Sequence, residues 1–254
     1  MLRGLVTAIR TLTLLPVPGR EADRFSSSLY WFPVVGLMIG TVQATLAWAG
    51  AKAGWVELAA LLALGGGVVL TRGLHADGLA DMADGFFGGR TKDARLRIMK
   101  DPNVGSFGAM ALIVVTLFKW VCLLELVRYG AFGMIAGGVM LARMVQVFLA
   151  ARLSYARAEG GTATAFVEGA GTVHLLIAFV SGLLLLLPLV HFDPLKSALL
   201  TLAAIGPASA VGFLSWRKIE GVTGDVLGAC SELTEAFVWL AAVLILKFTI
   251  SVPV

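Results

Sequence analysis

Long apolar runs alternate with short polar segments along this chain, and the length of each run limits what it can form. Runs near residues 30–50, 56–74, 107–127, 131–151, 174–192, 196–215 and 234–251 each approach the roughly twenty residues a helix needs to cross a bilayer. Residues 2–15 are too short to span. Their apolar positions are interrupted by Arg3 and Arg10, a pattern that predicts a helix lying in the membrane interface. In the first span Tyr30, Trp31 and Trp48 suit the interfacial belt, and Gly36 with Gly40 offers a small-residue packing face. The second run leads straight into an acidic segment, so a helix over Asp77 to Asp84 is expected to continue it beyond the hydrocarbon edge. The polar segments are 16–28, 76–106, 152–173 and 217–233. If seven spans alternate in direction, all four fall on one side. A short helix is expected over Asp93 to Met99.

Composition agrees with the pattern. Of 254 residues 58% are hydrophobic and 14% charged, with mean hydropathy +0.89. A soluble domain is about half apolar and about a quarter charged. The expected fold class is therefore all-α, one polytopic membrane-embedded helical bundle over 1–254 with the lipid bilayer as its surroundings. Three His and two Cys exclude a zinc cluster or disulfide framework. Cys122 falls in a span and Cys230 in a polar loop, and both read as unpaired thiols. No cleavable leader is expected, because Arg10 splits the first apolar run and Leu15-Pro16-Val17-Pro18-Gly19 ends it.

The net charge of +4 says less than its distribution. With the amino end inside, the inner segments hold Arg3, Arg10, Arg20, Arg24, Arg72, Arg90, Lys92, Arg95, Arg97, Lys100, Arg152, Arg157, Arg217 and Lys218. The outer segments hold Lys52, Arg128 and Lys196. This bias predicts a cytoplasmic amino terminus, an outer carboxyl terminus and polar segments facing the cytoplasm. Nucleic acid is not an expected partner, and a homo-oligomer is left open.

The segment Gly73 to Gly108 carries the most unusual chemistry. Asp77, Asp81 and Asp84 are spaced by four and three, which puts all three on one stripe of a helix. Like charges so placed repel unless something positive sits among them. Carboxylates suit Mg²⁺, which commonly takes one or two protein acids and fills its other positions with water and substrate phosphate. The glycines Gly88 and Gly89, with Arg90 and Lys92, offer amides and cations for phosphate; the bland alternative is a solvated acidic helix end. A second segment, Lys218 to Glu235, places Asp225 among Gly221, Gly224 and Gly228, with Thr223, Ser231, Glu232 and Glu235 nearby. Alone it reads as a glycine-rich turn before the last helix. Paired with the first, it reads as the second half of one site, with Thr223 and Ser231 toward phosphate or metal-bound water.

Ionisable residues within spans call for a polar cavity. Lys119 and Arg143, the latter near Gln146, are candidate phosphate contacts. Lys247 reads as snorkelling to the outer interface and Glu125 as marking the outer rim. His75 precedes the acids as a phosphate donor, a base or a structural imidazole. His174 and His191 read as interfacial. Arg157, beside Gly160-Gly161, sits on a segment that reads equally as a closure over a ligand and as a solvated loop.

These residues match a known pattern. His75-Ala-Asp-Gly-Leu-Ala-Asp-Met-Ala-Asp-Gly, Gly88-Gly-Arg, Ile98-Met-Lys-Asp and Gly105-Ser-Phe-Gly resemble the signature of cobalamin synthases, the adenosylcobinamide-GDP ribazoletransferase family of bacteria and archaea. The likeness extends to Thr13-Leu-Leu-Pro-Val-Pro, Trp31-Phe-Pro-Val-Val-Gly, Phe118-Lys-Trp, Ala142-Arg, Tyr155-Ala-Arg-Ala-Glu-Gly and Gly221-Val-Thr-Gly-Asp-Val-Leu-Gly-Ala. It implies an inner-membrane enzyme needing Mg²⁺ that joins α-ribazole or its 5′-phosphate to adenosylcobinamide-GDP and releases GMP. On that reading Asp77, Asp81, Asp84 and Asp225 hold the metal, and Asp225 or Glu232 completes the shell or takes a proton. Arg90, Lys92, Lys100 and Lys119 steady phosphate. A CDP-alcohol phosphotransferase fits less well, since here Asp81 follows Ala80 and that family's later acids are absent. A prenyltransferase lacks its second acidic repeat. An ion-coupled transporter would carry its acids nearer the bilayer midplane.

Overall fold

The computed structural model describes residues 2–250. It is helical, with no β-strand among the described residues. α1 (Leu2–Leu12) buries Thr7, Ala8, Ile9 and Leu12 and turns Arg10 back onto the carbonyls of Val17 and Gly19. It is the amphipathic helix expected at the amino end. A 3₁₀ segment, Phe25–Trp31, leads into α2 (Phe32–Lys52). There follow α3 (Val56–Thr71), α4 (Leu74–Gly88), α5 (Lys92–Ile98), α6 (Ser106–Arg128) and α7 (Phe132–Arg152). The chain continues through α8 (Thr164–Val167), α9 (Thr172–Leu189), α10 (Pro194–Ile219) and α11 (Gly224–Ile250).

α7 is the axis of the bundle. Ile135, Val139, Met140, Leu141, Ala142 and Val147 are fully inaccessible, with α2, α9, α10 and α11 packed around them. The expected packing face on α2 lies here: Gly36 and Gly40 rest against the backbone of Met140 and Ala136. α6 and α9 instead leave Ile113, Val114, Leu117, Leu176 and Leu184 exposed, as helices in lipid can. Six helical segments are long and apolar enough to cross a membrane, or seven when α3 and α4 count as one bent span.

That bend corrects the sequence expectation. The second run does not continue straight into the acids; it turns by 86° at Arg72 and Gly73, both left-handed with φ 55° and 67°. The turn lets α4 lie across its neighbours and bury His75, Leu79, Met82, Ala83 and Phe86 against α11 and α6. A second correction concerns 217–233. α10 runs to Ile219 and α11 begins at Gly224, so most of this glycine-rich stretch is helix. Glycine is a poor helix former in isolation, and here close packing against α4 overrides propensity. Cys230 consequently lies buried in α11 rather than in a loop, and like Cys122 it is a free thiol. Residue 251, the last of the expected seventh span, and the carboxyl end beyond it lie outside the described residues.

Candidate active site

The site is built where α4 crosses the first turns of α11. A Cβ on Gly78 would stand 2.8 Å from the Asp225 carbonyl oxygen, and one on Gly228 would stand 3.2 Å from the His75 backbone. Only glycines allow the two helices to approach this closely. Their contact brings Asp77 and Asp81 beside Asp225, which sits in the first turn of α11. Asp225 Oδ2 accepts from Thr223 Oγ1 at 3.2 Å and from Arg157 Nη2 at 2.8 Å. Arg157 arrives there because its strand-like stretch is tied to the connection before α11. Ala156 N donates to the Val222 carbonyl and Val222 N to the Ser154 carbonyl, each at 2.9 Å.

Asp81 is half-buried, and its charged surroundings are mostly negative: Asp77, Asp225 and Asp84, with Arg157 opposing them. One guanidinium among these acids leaves an excess of negative charge that a cation would relieve. Among the described residues no three His, Cys, Asp or Glu side chains converge closely enough to hold a metal by themselves. The donor set still fits Mg²⁺, an ion that takes one or two protein carboxylates and completes its shell with water and phosphate.

The acid stripe exists, but it runs from the surface into the protein. Asp77 is exposed, Asp81 intermediate and Asp84 buried. Asp84 Oδ2 accepts the Gly105 amide at 2.7 Å and Oδ1 the Gly108 amide at 2.9 Å. Asp84 therefore ties down the amino end of α6, a structural role beside the metal-binding one expected of it. A Cβ on Gly105 or Gly108 would lie within 2.4 Å of a carboxylate oxygen, so the glycines of Gly105-Ser-Phe-Gly make room for this carboxylate.

The deep cations meet carboxylates. Lys119 donates to Glu232 at 2.8 Å and to Glu235 at 2.5 Å, and Arg143 donates to Glu235 through Nη1. Arg143 Nη2 meets His75 Nδ1 at 3.3 Å. Because guanidinium only donates, that imidazole nitrogen is the acceptor in this contact. The two cations and two carboxylates balance within the bundle. Lys119 and Arg143 thus pair with carboxylates, and together with Glu232 and Glu235 they line a small pocket beside Gln43, Thr71 and Ala76, while His75 is buried against Arg143. Glu235, which the sequence placed beside Glu232 without a role, is the group both cations share. Its signal was there: two intramembrane cations need anions, and Glu232 and Glu235 lie three residues apart on one face.

The remaining expected contacts divide. Arg90 is exposed beside the α4–α5 turn. Lys92 pairs with Glu220 at 2.8 Å and Lys100 with Glu159 at 2.5 Å. Hydrogen bonds from these lysines hold both glutamates below the usual carboxylate range. Exposed pairs of this kind are weak and exchange easily, so both lysines remain available to a ligand. Ser231 is wholly buried within α11 and cannot touch phosphate, and Thr223 is buried beneath Asp225.

Beside the α3–α4 break lies a cavity of about 560 Å³, lined by Arg72, Leu74, Asp77, Ala80, Val104 and Leu112 among others. Arg72 was counted only toward topology by the sequence; its placement depends on the bend, which left no local signal. A groove of about 550 Å³ between α10 and α11 is walled by apolar groups such as Pro207, Phe237 and Leu240. It offers nothing to a phosphate or a metal.

Comparison with known proteins follows the same direction. A family model described as cobalamin-5-phosphate synthase matches residues 4–243. A protein of Chlorobaculum parvum named adenosylcobinamide-GDP ribazoletransferase is 67% identical over 247 residues, covering 97% of each chain. One of the same name from Chlorobaculum tepidum is 66% identical with the same coverage. A more distant one from Shewanella oneidensis is 36% identical over 90% of this chain and 88% of its own. No solved structure matches.

Proposed function

From the premise that this chain belongs to the cobalamin-5-phosphate synthase family, we propose how its residues carry out the transfer. It is a multi-pass membrane transferase of the final stage of cobalamin synthesis, acting on adenosylcobinamide-GDP and a ribazole substrate. The ribose 3′-hydroxyl of the acceptor attacks the phosphorus next to the corrinoid's aminopropanol arm. A new phosphorus–oxygen bond forms, the pyrophosphate bond to the guanylate breaks, GMP leaves, and the hydroxyl proton passes to a carboxylate. Reactions of this kind depend on positioning and on charge neutralisation more than on covalent participation by the protein.

Asp77 and Asp81, with Asp225 at their side, are the residues that would hold Mg²⁺. The bound ion would supply neutralisation of charge on the pyrophosphate. Asp225, already oriented by Thr223 and Arg157, stands nearest to the role of proton acceptor once Glu232 is committed to Lys119. Arg157 is placed to move from Asp225 to a phosphate oxygen when a cation enters. Arg90, Lys92 and Lys100 edge the same face and steady phosphate from outside. The distribution of Lys and Arg supports a cytoplasmic site and a cytoplasmic amino terminus, in an inner membrane.

The observation that carries this reading is the glycine-mediated crossing of α4 and α11, which gathers three carboxylates against a single opposing guanidinium. Its test is a pair of measurements on the purified chain. GMP release is expected to require both substrates and a divalent ion, and Mn²⁺ binding followed by electron paramagnetic resonance is expected to weaken in Asp77→Asn. Undiminished Mn²⁺ affinity in both Asp77→Asn and Asp81→Asn would remove these acids from the metal site.

A further inference from the structure

The family description carries a 5-phosphate, whereas the relatives are named simply for ribazole transfer. The two forms of the acceptor differ by one phosphate ester. We propose that the cavity at the α3–α4 bend seats the ribazole acceptor and that Arg72 binds its 5′-phosphate, making Arg72 the residue that selects nucleotide over nucleoside. This rests on the transferase reading above.

Four observations support the assignment. The recess is open-sided and has about 560 Å³ of volume, within the range of small-ligand sites. Leu74, Ala80, Val104 and Leu112 form an apolar wall, which suits the flat aromatic base of a nucleoside. Asp77 lies on the same cavity and joins it to the acid cluster, so an acceptor seated there has its ribose close to the reacting phosphorus. Arg72 is exposed and makes no side-chain hydrogen bond or ion pair among the described residues. Among the residues lining this recess it is the one cation. A guanidinium fork matches a phosphate ester with two parallel hydrogen bonds.

The test compares α-ribazole 5′-phosphate with α-ribazole as acceptors for the purified full-length chain, reading labelled GMP release. A charge-assisted contact should give the wild-type protein at least about a tenfold preference in kcat/KM for the phosphorylated acceptor. Arg72→Gly relaxes the backbone while removing the cation, and is expected to bring that ratio close to one. Arg72→Lys keeps the charge without the fork and should fall between. Arg72→Gln serves as a second variant that keeps the side-chain stem. Equilibrium dialysis of labelled α-ribazole 5′-phosphate without donor should show affinity falling by the same factor. A ratio unchanged in Arg72→Gly and Arg72→Gln overturns the assignment, as does an equal loss for both acceptors, which would mark a role toward the donor or the fold. Failure of the transferase reading looks different: the wild-type protein would release no GMP with either acceptor, while dialysis would still report phosphate binding at Arg72.

Discussion

At the scale of single residues, the three aspartates of one stripe have three different surroundings, and their substitutions should separate accordingly. Asp81→Asn removes charge from the half-buried centre of the cluster while keeping shape. Turnover measured by GMP release at saturating Mg²⁺ is expected to fall at least about a hundredfold, the usual scale for one electrostatic element of a site. Near-normal turnover by folded protein would exclude Asp81 from the chemistry. Asp84→Asn is expected to act on stability instead. Its amide nitrogen would face a backbone N–H, so one of two charge-assisted bonds is lost, at a cost of about 1–3 kcal/mol. Thermal unfolding should register that cost while Mn²⁺ affinity persists. A weakened metal affinity with unchanged stability would reverse the assignment given to Asp84.

At the scale of elements, two joints decide the site. The first is the α4–α11 crossing. Gly78→Val would press methyl groups onto the Asp225 backbone, and a misplacement of about 1 Å in reacting groups is enough for roughly a hundredfold loss. GMP release should fall by that order with the helical circular dichroism retained; full activity would show that the close approach is not needed. The second joint is the buried network joining α4, α6, α7 and α11. Removing one partner of such a pair typically costs about 3–5 kcal/mol, because a charge is left unpaired, whereas removing both is far cheaper. Glu235→Gln is therefore expected to destabilise strongly, and the double variant Lys119→Met/Glu235→Gln to lose less than the sum of the two single changes. Additive losses in detergent unfolding would argue that the residues do not act together.

For the whole molecule, the prediction concerns direction. Cysteines substituted at Arg97 and at Lys52 should react with an impermeant reagent from opposite faces of sealed vesicles, Arg97→Cys from the cytoplasmic face. The native thiols Cys122 and Cys230 are buried and should stay silent. Labelling of both substituted positions from the same face would reject the topology.

The apolar runs that form membrane-length helices and the amphipathic first helix were set locally, since an apolar run of given length in lipid has few alternatives to a helix; the early start of α11 at Gly224 was not. The acid stripe was equally legible, because spacings of four and three fix a face. Which ionisable groups meet was not legible. Asp84 finds amides more than twenty positions away, and Lys119 finds carboxylates more than a hundred positions away. No local spacing encodes such partners. Nor did it encode the bend at Arg72 and Gly73, which arises from the burial of a whole face of α4. The sequence by itself thus determined what this chain is made of and the class of chemistry its residues suit. Tertiary structure alone decided which charges are consumed inside the protein and which stay free for a ligand, because charges in a low-dielectric interior must be paired wherever the packing brings them together.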